Sequence, residues 1–466
     1  MVKRDVTQPA IFAAILAVLL CYRVVAKLRT ARGSAAVPVA RQTMSIGLLL
    51  LAGAAAAVLA PADAQAQRAP ADLQVPAAEA GIRRALDALA EGRMSAALGE
   101  TDRLVAQHPN FRLAHLLRGD LLLARVRAID GPGSTEHAAR ERLEDLRAEA
   151  AVRLRAGKEL PPPDRLPSYL LQLAPSQEHA IVVDASRSRV YVYQNAAGVP
   201  RLVEHYYSTL GKRGIEKERE GDQKTPLGVY YVTSKIPGSK LPDLYGWGAF
   251  PLSYPNEWDR LQSRTGYGIW IHGVPADTYA RAPQASDGCI ALANPEIEQL
   301  ARRVQPGVTP VIIAQRVEWV APEAWRAERE TFLRQMEAWR ADWEGGDGER
   351  YLAHYARSFR SDGMNLERWR AHKRRVNAGK SWIRVSLANV SVFRDPGRQP
   401  LVVVTFDQDY RSSNLVQKSR KRQYWVLEDG RWKIAYEAPV GRPVLALPES
   451  YPGRRAKSLP AQGERS

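Results

Sequence analysis

Cysteine is nearly absent from this chain: among 466 residues there are only two, Cys21 and Cys289. Cys21 lies in an apolar N-terminal segment, so Cys289 stands alone in the rest of the sequence. A single cysteine cannot form an internal disulfide, and Cys289 is therefore either a buried apolar residue or a reactive thiol. The sequence also lacks a zinc-ligand cluster, a Walker loop and a dinucleotide-binding fingerprint, so it implies no cofactor and no metal.

Acidic residues are in short supply relative to basic ones. The chain has 67 Lys and Arg against 50 Asp and Glu, a net charge of +17. Such a surplus of positive charge favours binding to anionic surfaces such as cell-wall carboxylates, lipid headgroups or nucleic acid. Much of it is arginine scattered along predicted helices, which is typical of a solvated face, and we expect no nucleic-acid partner. The length leaves room for two to four domains.

The surroundings of Cys289 favour a reactive thiol. It follows Ser286-Asp287-Gly288, and His272 lies upstream at the end of the strand-like run Tyr267–Ile271. An ordinary thiol is only a few per cent thiolate at neutral pH, so it needs a base or a positive environment, and His272 is the candidate base. Gly288 allows a sharp turn, and the N–H groups of Gly288 and Cys289 form a candidate oxyanion hole. The pattern predicts acyl transfer through a thioester.

His272, thirteen intervening residues and then Ser286-Asp287-Gly288-Cys289 resemble the signature of L,D-transpeptidase (YkuD-type) catalytic domains. That signature is a histidine, a gap of about this length and Ser/Thr-His-Gly-Cys. The segment Thr225-Pro226-Leu227-Gly228-Val229-Tyr230 matches the Thr-Pro-x-Gly-aromatic element of the same family. The resemblance spans about residues 178–315. It implies a mostly-β domain with Cys289 as nucleophile and His272 as base, and an oxyanion or substrate site formed by Gly288, Ser286, Asp287 and Gly273, whose carbonyl would orient the imidazole.

The resemblance implies a reaction on peptidoglycan. Cys289 would attack the carbonyl between an L-centre and a D-centre in a tetrapeptide stem and expel D-alanine. Asp287 stands where the family usually has a second histidine, and Ala291 where it often has Arg or Asn. The Asp287 variant is similar to a subgroup that includes murein-lipoprotein-releasing hydrolases. Transfer to an amine therefore stays open beside hydrolysis, which would release a wall-linked lipoprotein or trim stems. A non-catalytic wall-binding scaffold is the third hypothesis.

Six residues near the motif have predicted roles of their own. Asp287 either caps a turn, points to substrate or pairs with an arginine such as Arg281. Asn294 is predicted to cap a helix that runs toward Val304. Four aromatic residues before the histidine are candidates for a substrate cleft or for the core: Tyr245, Trp247, Tyr254 and Trp258.

The N-terminal part contains an export signal and then helices. Residues 1–66 are predicted to be a membrane or signal region, with the apolar run Met44–Ala60 before a small-x-small cleavage site at Ala64-Gln65-Ala66. We expect a periplasmic protein, with an inner-membrane anchor if the first apolar segment, Pro9–Val25, is retained. Residues 67–160 are predicted to be helical and tetratricopeptide-like, from the offsets between Gly92, Ala97 and Pro109.

The C-terminal third is predicted to be a separate α+β unit. Its helices are expected at about Pro322–Asp342, Gly348–Phe359 and Leu366–Asn377, before four strands. Residues 340–440 resemble a nuclear transport factor 2-like (NTF2-like) cone. No paired catalytic residues occur there, so we expect this unit to bind the wall or to form a homodimer. The whole chain is thus predicted to be a multidomain α+β protein.

Overall fold

The computed structural model describes residues 73–126, 133, 140–361 and 363–440. The predicted membrane and signal region, residues 1–66, lies outside these ranges. Two compact units are present: the first ends at Pro163, and the second begins at Asp164 and takes in Gln74–Pro76. Within the described ranges, every helix is too short or too polar to cross a membrane.

The first unit is helical, as predicted. Its small core joins alanines and leucines of successive helices, among them Ala97 and Leu121. A Cβ on Gly81 would lie 2.8 Å from Leu104 Cδ2, so the first two helices are in close contact there. Buried Arg153 forms ion pairs with Glu79 and Glu149. The helices are α1 (Ala77–Ala90), α2 (Met94–Gln107), α3 (Arg112–Leu123) and α4 (Arg140–Lys158).

The central region is mostly β, also as predicted. Its two helices are α5 (Glu257–Leu261) and α6 (Asn294–Ala301). Its strands are β1 (Leu166–Pro167), β2 (Leu170–Gln172), β3 (His179–Asp184), β4 (Arg189–Ala196), β5 (Val199–Tyr207), β6 (Leu210–Gly211), β7 (Gly228–Tyr231), β8 (Ile236–Pro237), β9 (Gly248–Pro251), β10 (Trp270–His272), β11 (Gln284–Ser286), β12 (Ile290–Ala291), β13 (Pro310–Ala314) and β14 (Trp319–Val320).

Two sheets of this region share one core. A five-stranded sheet has the order β5-β4-β3-β13-β7, and a four-stranded sheet has the order β12-β10-β9-β8. Strands β3 and β13 are buried along their whole length, which explains their continuous apolar sequences. Ile181 and Val311 of the first sheet belong to the same buried cluster as Phe250, Ile271 and Ile290 of the second. The strands around the predicted site are therefore held from behind by the main core.

The C-terminal region places helices against a mostly antiparallel sheet, which confirms the predicted α+β class. The first helix buries Trp325, Phe332, Met336, Trp339 and Trp343, a spacing of three, four or seven residues that puts them on one face. The elements are α7 (Pro322–Glu344), α8 (Gly348–Ala353), β15 (Tyr355–Ser361), β16 (Met364–Asn365), α9 (Leu366–Ala378), β17 (Ile383–Arg394), β18 (Leu401–Ser412), β19 (Leu415–Glu428) and β20 (Arg431–Pro439).

Two expectations about the C-terminal region are wrong. The predicted helix Gly348–Phe359 ends at Ala353, and β15 follows it, pairing in parallel with β20. Nor is the region a separate unit: β2, which precedes the catalytic motif in the chain, forms the edge of its seven-stranded sheet, β16-β15-β20-β19-β18-β17-β2. The two regions also meet through side chains, because Arg422 lies over the Tyr231 ring at 4.4 Å.

Candidate active site

The fold brings Cys289 and His272 onto adjoining strands. His272 ends β10, and Cys289 lies immediately before β12. These two strands are parallel neighbours, with His272 opposite Ala291. Because Cys289 precedes Ala291 by two residues, strand spacings place the Cα atoms of Cys289 and His272 about 8 Å apart. At this separation of their Cα atoms, the thiol and imidazole side chains of the predicted nucleophile and base can reach each other.

His272 is held as a neutral base. Its Nδ1 lies 2.6 Å from the Gly273 carbonyl oxygen, which can only accept, so Nδ1 carries the proton and Nε2 keeps its lone pair. The Tyr245 ring packs edge-on against the imidazole at 5.0 Å. Burial lowers the pKa of His272 to about 4, opposed by the Gly273 hydrogen bond and assisted by the charge of Arg281. The Gly273 carbonyl thus lies within hydrogen-bonding distance of the imidazole, and its orienting role stays a prediction.

Cys289 is a neutral thiol at rest. It keeps partial exposure, and its Sγ donates to the Gly268 carbonyl at 3.3 Å. Burial raises the pKa of Cys289 to about 11; the Trp270 N–H lowers it, while nearby Asp287 raises it. A neutral thiol beside a neutral imidazole is not a preformed ion pair. For Cys289 to act as a nucleophile, its proton has to move to a base, and the neutral His272 imidazole is the candidate.

The turn before Cys289 requires its glycine. Gly288 has φ +121°, and a Cβ there would lie 2.7 Å from the Lys224 carbonyl oxygen. Ser286 Oγ accepts from the Gly288 N–H at 3.2 Å and donates to the Cys289 carbonyl at 2.6 Å. The predicted oxyanion hole changes accordingly: the Gly288 N–H is engaged by Ser286, which leaves the Cys289 N–H as the candidate donor. Ser286 shapes the turn.

The charged side chains at the turn do not form the Asp287–Arg281 pair that was one expectation from the sequence. The Asp287 carboxylate pairs with Lys212 Nζ at 3.2 Å and accepts from Gln223 Nε2 at 3.1 Å. Arg281 instead donates to the Ala285 carbonyl at 2.5 Å. Its charge influences both the thiol and the imidazole, a role that the sequence did not reveal. Over the described ranges, no group of three His, Cys, Asp or Glu side chains is placed to hold a metal ion.

Asn294 joins the chain at Trp247 to the chain at Val274, two residues after His272. Its Oδ1 accepts from the N–H groups of Trp247 at 2.9 Å and Val274 at 3.2 Å, and its Nδ2 donates to the Val274 carbonyl at 2.8 Å. A Cβ on Gly246 or on Gly273 would lie 2.2 Å from this Oδ1. The capping prediction is wrong, because α6 has no side-chain cap and starts at Asn294 itself. Sequence reasoning missed this role, for which the two glycines were the only signal.

The four aromatic candidates lie in three different places: near the candidate active site, in the core, and at the contact between the central and C-terminal regions. Tyr245 contacts the imidazole, and the Trp247 side chain is partly exposed next to the Asn294 bonds. Tyr254 is a core residue that donates to the Thr265 carbonyl. Trp258 stacks on Tyr424 at 5.6 Å, in the contact between the central and C-terminal regions. Tyr245 and Trp247 therefore stay candidates for the substrate cleft.

Two family models match this chain. Residues 178–313 match the L,D-transpeptidase catalytic domain (YkuD), and residues 331–438 match the Cds6 C-terminal NTF2-like domain. The chain contains an L,D-transpeptidase domain followed by an NTF2-like domain. Both predicted resemblances are therefore confirmed. No curated protein matches the chain.

Two solved structures resemble more than half of the chain. Bd1075 of Bdellovibrio bacteriovorus is 28% identical, with a TM-score of 0.54, over 61% of this chain and 100% of that one. The helical cell shape determining protein Pgp2 of Campylobacter jejuni is 26% identical, with a TM-score of 0.50, over 59% of this chain and 95% of that one. Each of these two alignments covers more of this chain than either family match does alone.

Proposed function

We propose that this protein is a peptidoglycan L,D-transpeptidase that works through a thioester on Cys289. The observation that carries the proposal is the neutral imidazole of His272, with its Nδ1 proton fixed on Gly273, on the strand beside a partly exposed thiol. The match to the L,D-transpeptidase domain supports the reaction class. The likeness to a cell shape determining protein supports the wall as substrate.

The groups present suffice for two acyl transfers. As the thiol leaves the Gly268 carbonyl, its proton passes to His272 Nε2 and Sγ attacks the carbonyl between the L- and D-centres of a stem. The C–N bond breaks, and D-alanine departs with the proton from His272. An acceptor amine then attacks the thioester, gives its proton to His272, and the C–S bond breaks. His272 returns that proton to the sulfur, so the enzyme ends as it began.

The acceptor decides between the two enzymatic hypotheses. A stem amine as acceptor gives a cross-link, and the amine of a lipoprotein gives a wall-linked protein. Water as acceptor gives a trimmed stem. Purified protein incubated with tetrapeptide-rich peptidoglycan distinguishes them by mass spectrometry of the muropeptides. New dimers support transfer, whereas tripeptide ends without dimers support hydrolysis.

The test of the site uses the same assay with variants. Cys289→Ala and His272→Ala should each abolish the new products, and Cys289→Ser should do so with little change in side-chain size. Tyr254→Phe is a matched control, because it alters a core aromatic hydroxyl away from the imidazole. Unchanged muropeptide profiles in both alanine variants would contradict the enzymatic assignment and leave the wall-binding scaffold.

The proposal places the catalytic domain in the periplasm, where peptidoglycan lies, and assigns the basic NTF2-like domain to docking on the wall. Electrostatic docking should weaken with salt, because the Debye length falls from about 10 Å at 0.1 M to about 3 Å at 1 M. Co-sedimentation with sacculi at the two salt concentrations measures this. The competing role, a homodimer through the same domain, predicts a doubled mass in analytical ultracentrifugation without sacculi.

A further inference from the structure

A group of apolar residues is exposed at one end of the NTF2-like domain. Trp382, Leu415 and Val416, here called the hairpin tip, are 47%, 47% and 66% exposed. Leu415 and Val416 begin β19, directly after the short turn that follows β18 at Ser412. The Ser413 N–H in this turn donates to the Trp382 carbonyl at 3.3 Å, which places the tryptophan beside the turn. The three residues therefore lie next to one another at the end of the sheet.

Basic side chains border the hairpin tip. Arg384 lies opposite Arg411 on the neighbouring strand, and Arg411 lies opposite Val416. Residues that are directly opposite share one face of a sheet, so these two arginines and the valine point the same way. Arg411 and Lys418 share the carboxylate of Asp409, at 3.1 Å and 3.7 Å. The cations beside the tip are Lys380, Arg384, Arg411 and Lys418.

The core of the domain does not account for a tryptophan at this place. The C-terminal region buries five other tryptophans to 6% exposure or less: Trp325, Trp339, Trp343, Trp369 and Trp425. Trp382 instead leaves almost half of its surface in water, beside two more exposed apolar side chains. Contiguous apolar surface on a soluble domain marks a site that another surface covers. The hairpin tip is therefore a candidate docking surface.

The chemistry of the hairpin tip fits a lipid surface better than the other surfaces of the periplasm. At the boundary of a bilayer, tryptophan rings lie at headgroup level, and neighbouring Lys and Arg side chains are attracted to anionic lipids. Peptidoglycan attracts the cations but offers no comparable apolar layer. A stable dimer buries about 800 Å² per partner, whereas even a fully buried aromatic side chain covers only about 150–250 Å². Three partly exposed side chains fall well short of such an interface.

We propose that the hairpin tip is a contact site for the surface of an anionic phospholipid bilayer. Trp382, Leu415 and Val416 enter the headgroup layer, and the four cations beside them bind lipid phosphates. The inference does not depend on the reaction at Cys289. It also differs from wall docking by the same domain, which relies on charge alone and needs no apolar side chain.

The test is co-sedimentation with vesicles of phosphatidylglycerol and phosphatidylethanolamine, and with phosphatidylcholine vesicles for comparison. The protein is used from Gln67 onward, which keeps every residue that the structure describes and removes the predicted signal region as a second membrane contact. Trp382→Ser, Leu415→Ser and Val416→Ser combined should weaken binding to the anionic vesicles at least about tenfold, because apolar burial is lost. Arg384→Gln should weaken it about fivefold, because one cation near the lipid surface is lost.

Leu427→Ser is the matched control. Leu427 lies at the other end of the same strand, β19, and is similarly exposed, at 48%. Its substitution should leave vesicle binding unchanged. Tryptophan fluorescence gives a direct readout of the contact: brominated phospholipids should quench part of the fluorescence of the native protein, and Trp382→Phe should remove most of that quenching.

Equal binding of the native protein to anionic and phosphatidylcholine vesicles would overturn the inference, as would equal vesicle binding by the native protein and the triple-serine variant. Two parallel assays give further outcomes that contradict it. If the triple-serine variant binds vesicles normally but no longer binds sacculi, the hairpin tip is a wall contact. If the variant instead loses a dimer in analytical ultracentrifugation, the tip is a contact between two copies of the chain.

Discussion

Asn294→Ala should lower the free energy of unfolding slightly and the rate of Cys289 acylation strongly. The substitution removes three hydrogen bonds of 2.8–3.2 Å to the backbone of Trp247 and Val274. At about 1 kcal/mol each, and less where water reaches the freed groups, the loss of unfolding free energy should be about 2 kcal/mol. Gly273, whose carbonyl fixes the His272 tautomer, lies directly between His272 and Val274. Its displacement by even about 1 Å should slow acylation of Cys289 some tenfold to a hundredfold.

The assay is the rate of Cys289 acylation by a carbapenem, a class of compound that acylates this family, followed by intact-protein mass spectrometry. Thermal unfolding is recorded for the same samples. Asn256→Ala is the matched control: it removes two side-chain hydrogen bonds, to Asp259 and Val229, from another buried loop. The control should lose similar stability while keeping its acylation rate. Equal acylation rates in the two variants would refute the positioning role of Asn294.

Three further predictions follow from the geometry. Because burial raises the pKa of Cys289 to about 11, its alkylation by iodoacetamide should keep rising about tenfold per pH unit beyond pH 8.5; a plateau there would contradict the buried-thiol description. Gly288→Ala should abolish acylation, whereas Gly221→Ala, at φ +73° with open space around it, should only lower the melting temperature slightly. Arg422→Met should lower the free energy of urea unfolding by about 2 kcal/mol, because Glu257 loses its charge partner while keeping the hydrogen bond from Tyr424. Adding Glu257→Gln should recover part of this loss, and additive losses would exclude coupling between the two residues.

Cys289 and His272 could be singled out as candidate nucleophile and base because their signal is local. Gly288 and Cys289 adjoin in sequence, and the strand that ends at His272 is apolar, so a short motif contains the chemistry. The β-rich character of the central region could also be predicted, since strands such as β3 contain an unbroken apolar stretch, residues 180–183. The resemblance to two families then supplied the domain order, and the comparisons confirm it.

Contacts between residues far apart in the sequence could not be predicted in this way. The sequence suggested Arg281 as a partner for Asp287, but β6 pairs with β11 and thereby brings Lys212 to the turn. From the sequence, Asn294 is expected to cap a helix. In the fold, its Oδ1 instead lies next to Gly246 and Gly273.

The same holds for the C-terminal region. Residues after Ala353 appear helical in isolation, and only the partner strand β20 makes Tyr355–Ser361 extended. The pairing of β2 with β17 likewise depends on chain segments far apart in sequence. It also means that a chain cut after Gln315 would lose the partner of β2 and expose Tyr231, so truncation does not isolate the catalytic domain cleanly.

The central claim is that Cys289 carries the acyl group, and trapping that intermediate tests it most directly. The native protein is mixed with a tetrapeptide stem, quenched in acid within the first turnover, and mapped by peptide mass spectrometry. A tripeptide adduct on the peptide that contains Cys289, formed as D-alanine is released and slowed in His272→Ala, is the predicted result. Release of D-alanine at an unchanged rate by Cys289→Ala would contradict it.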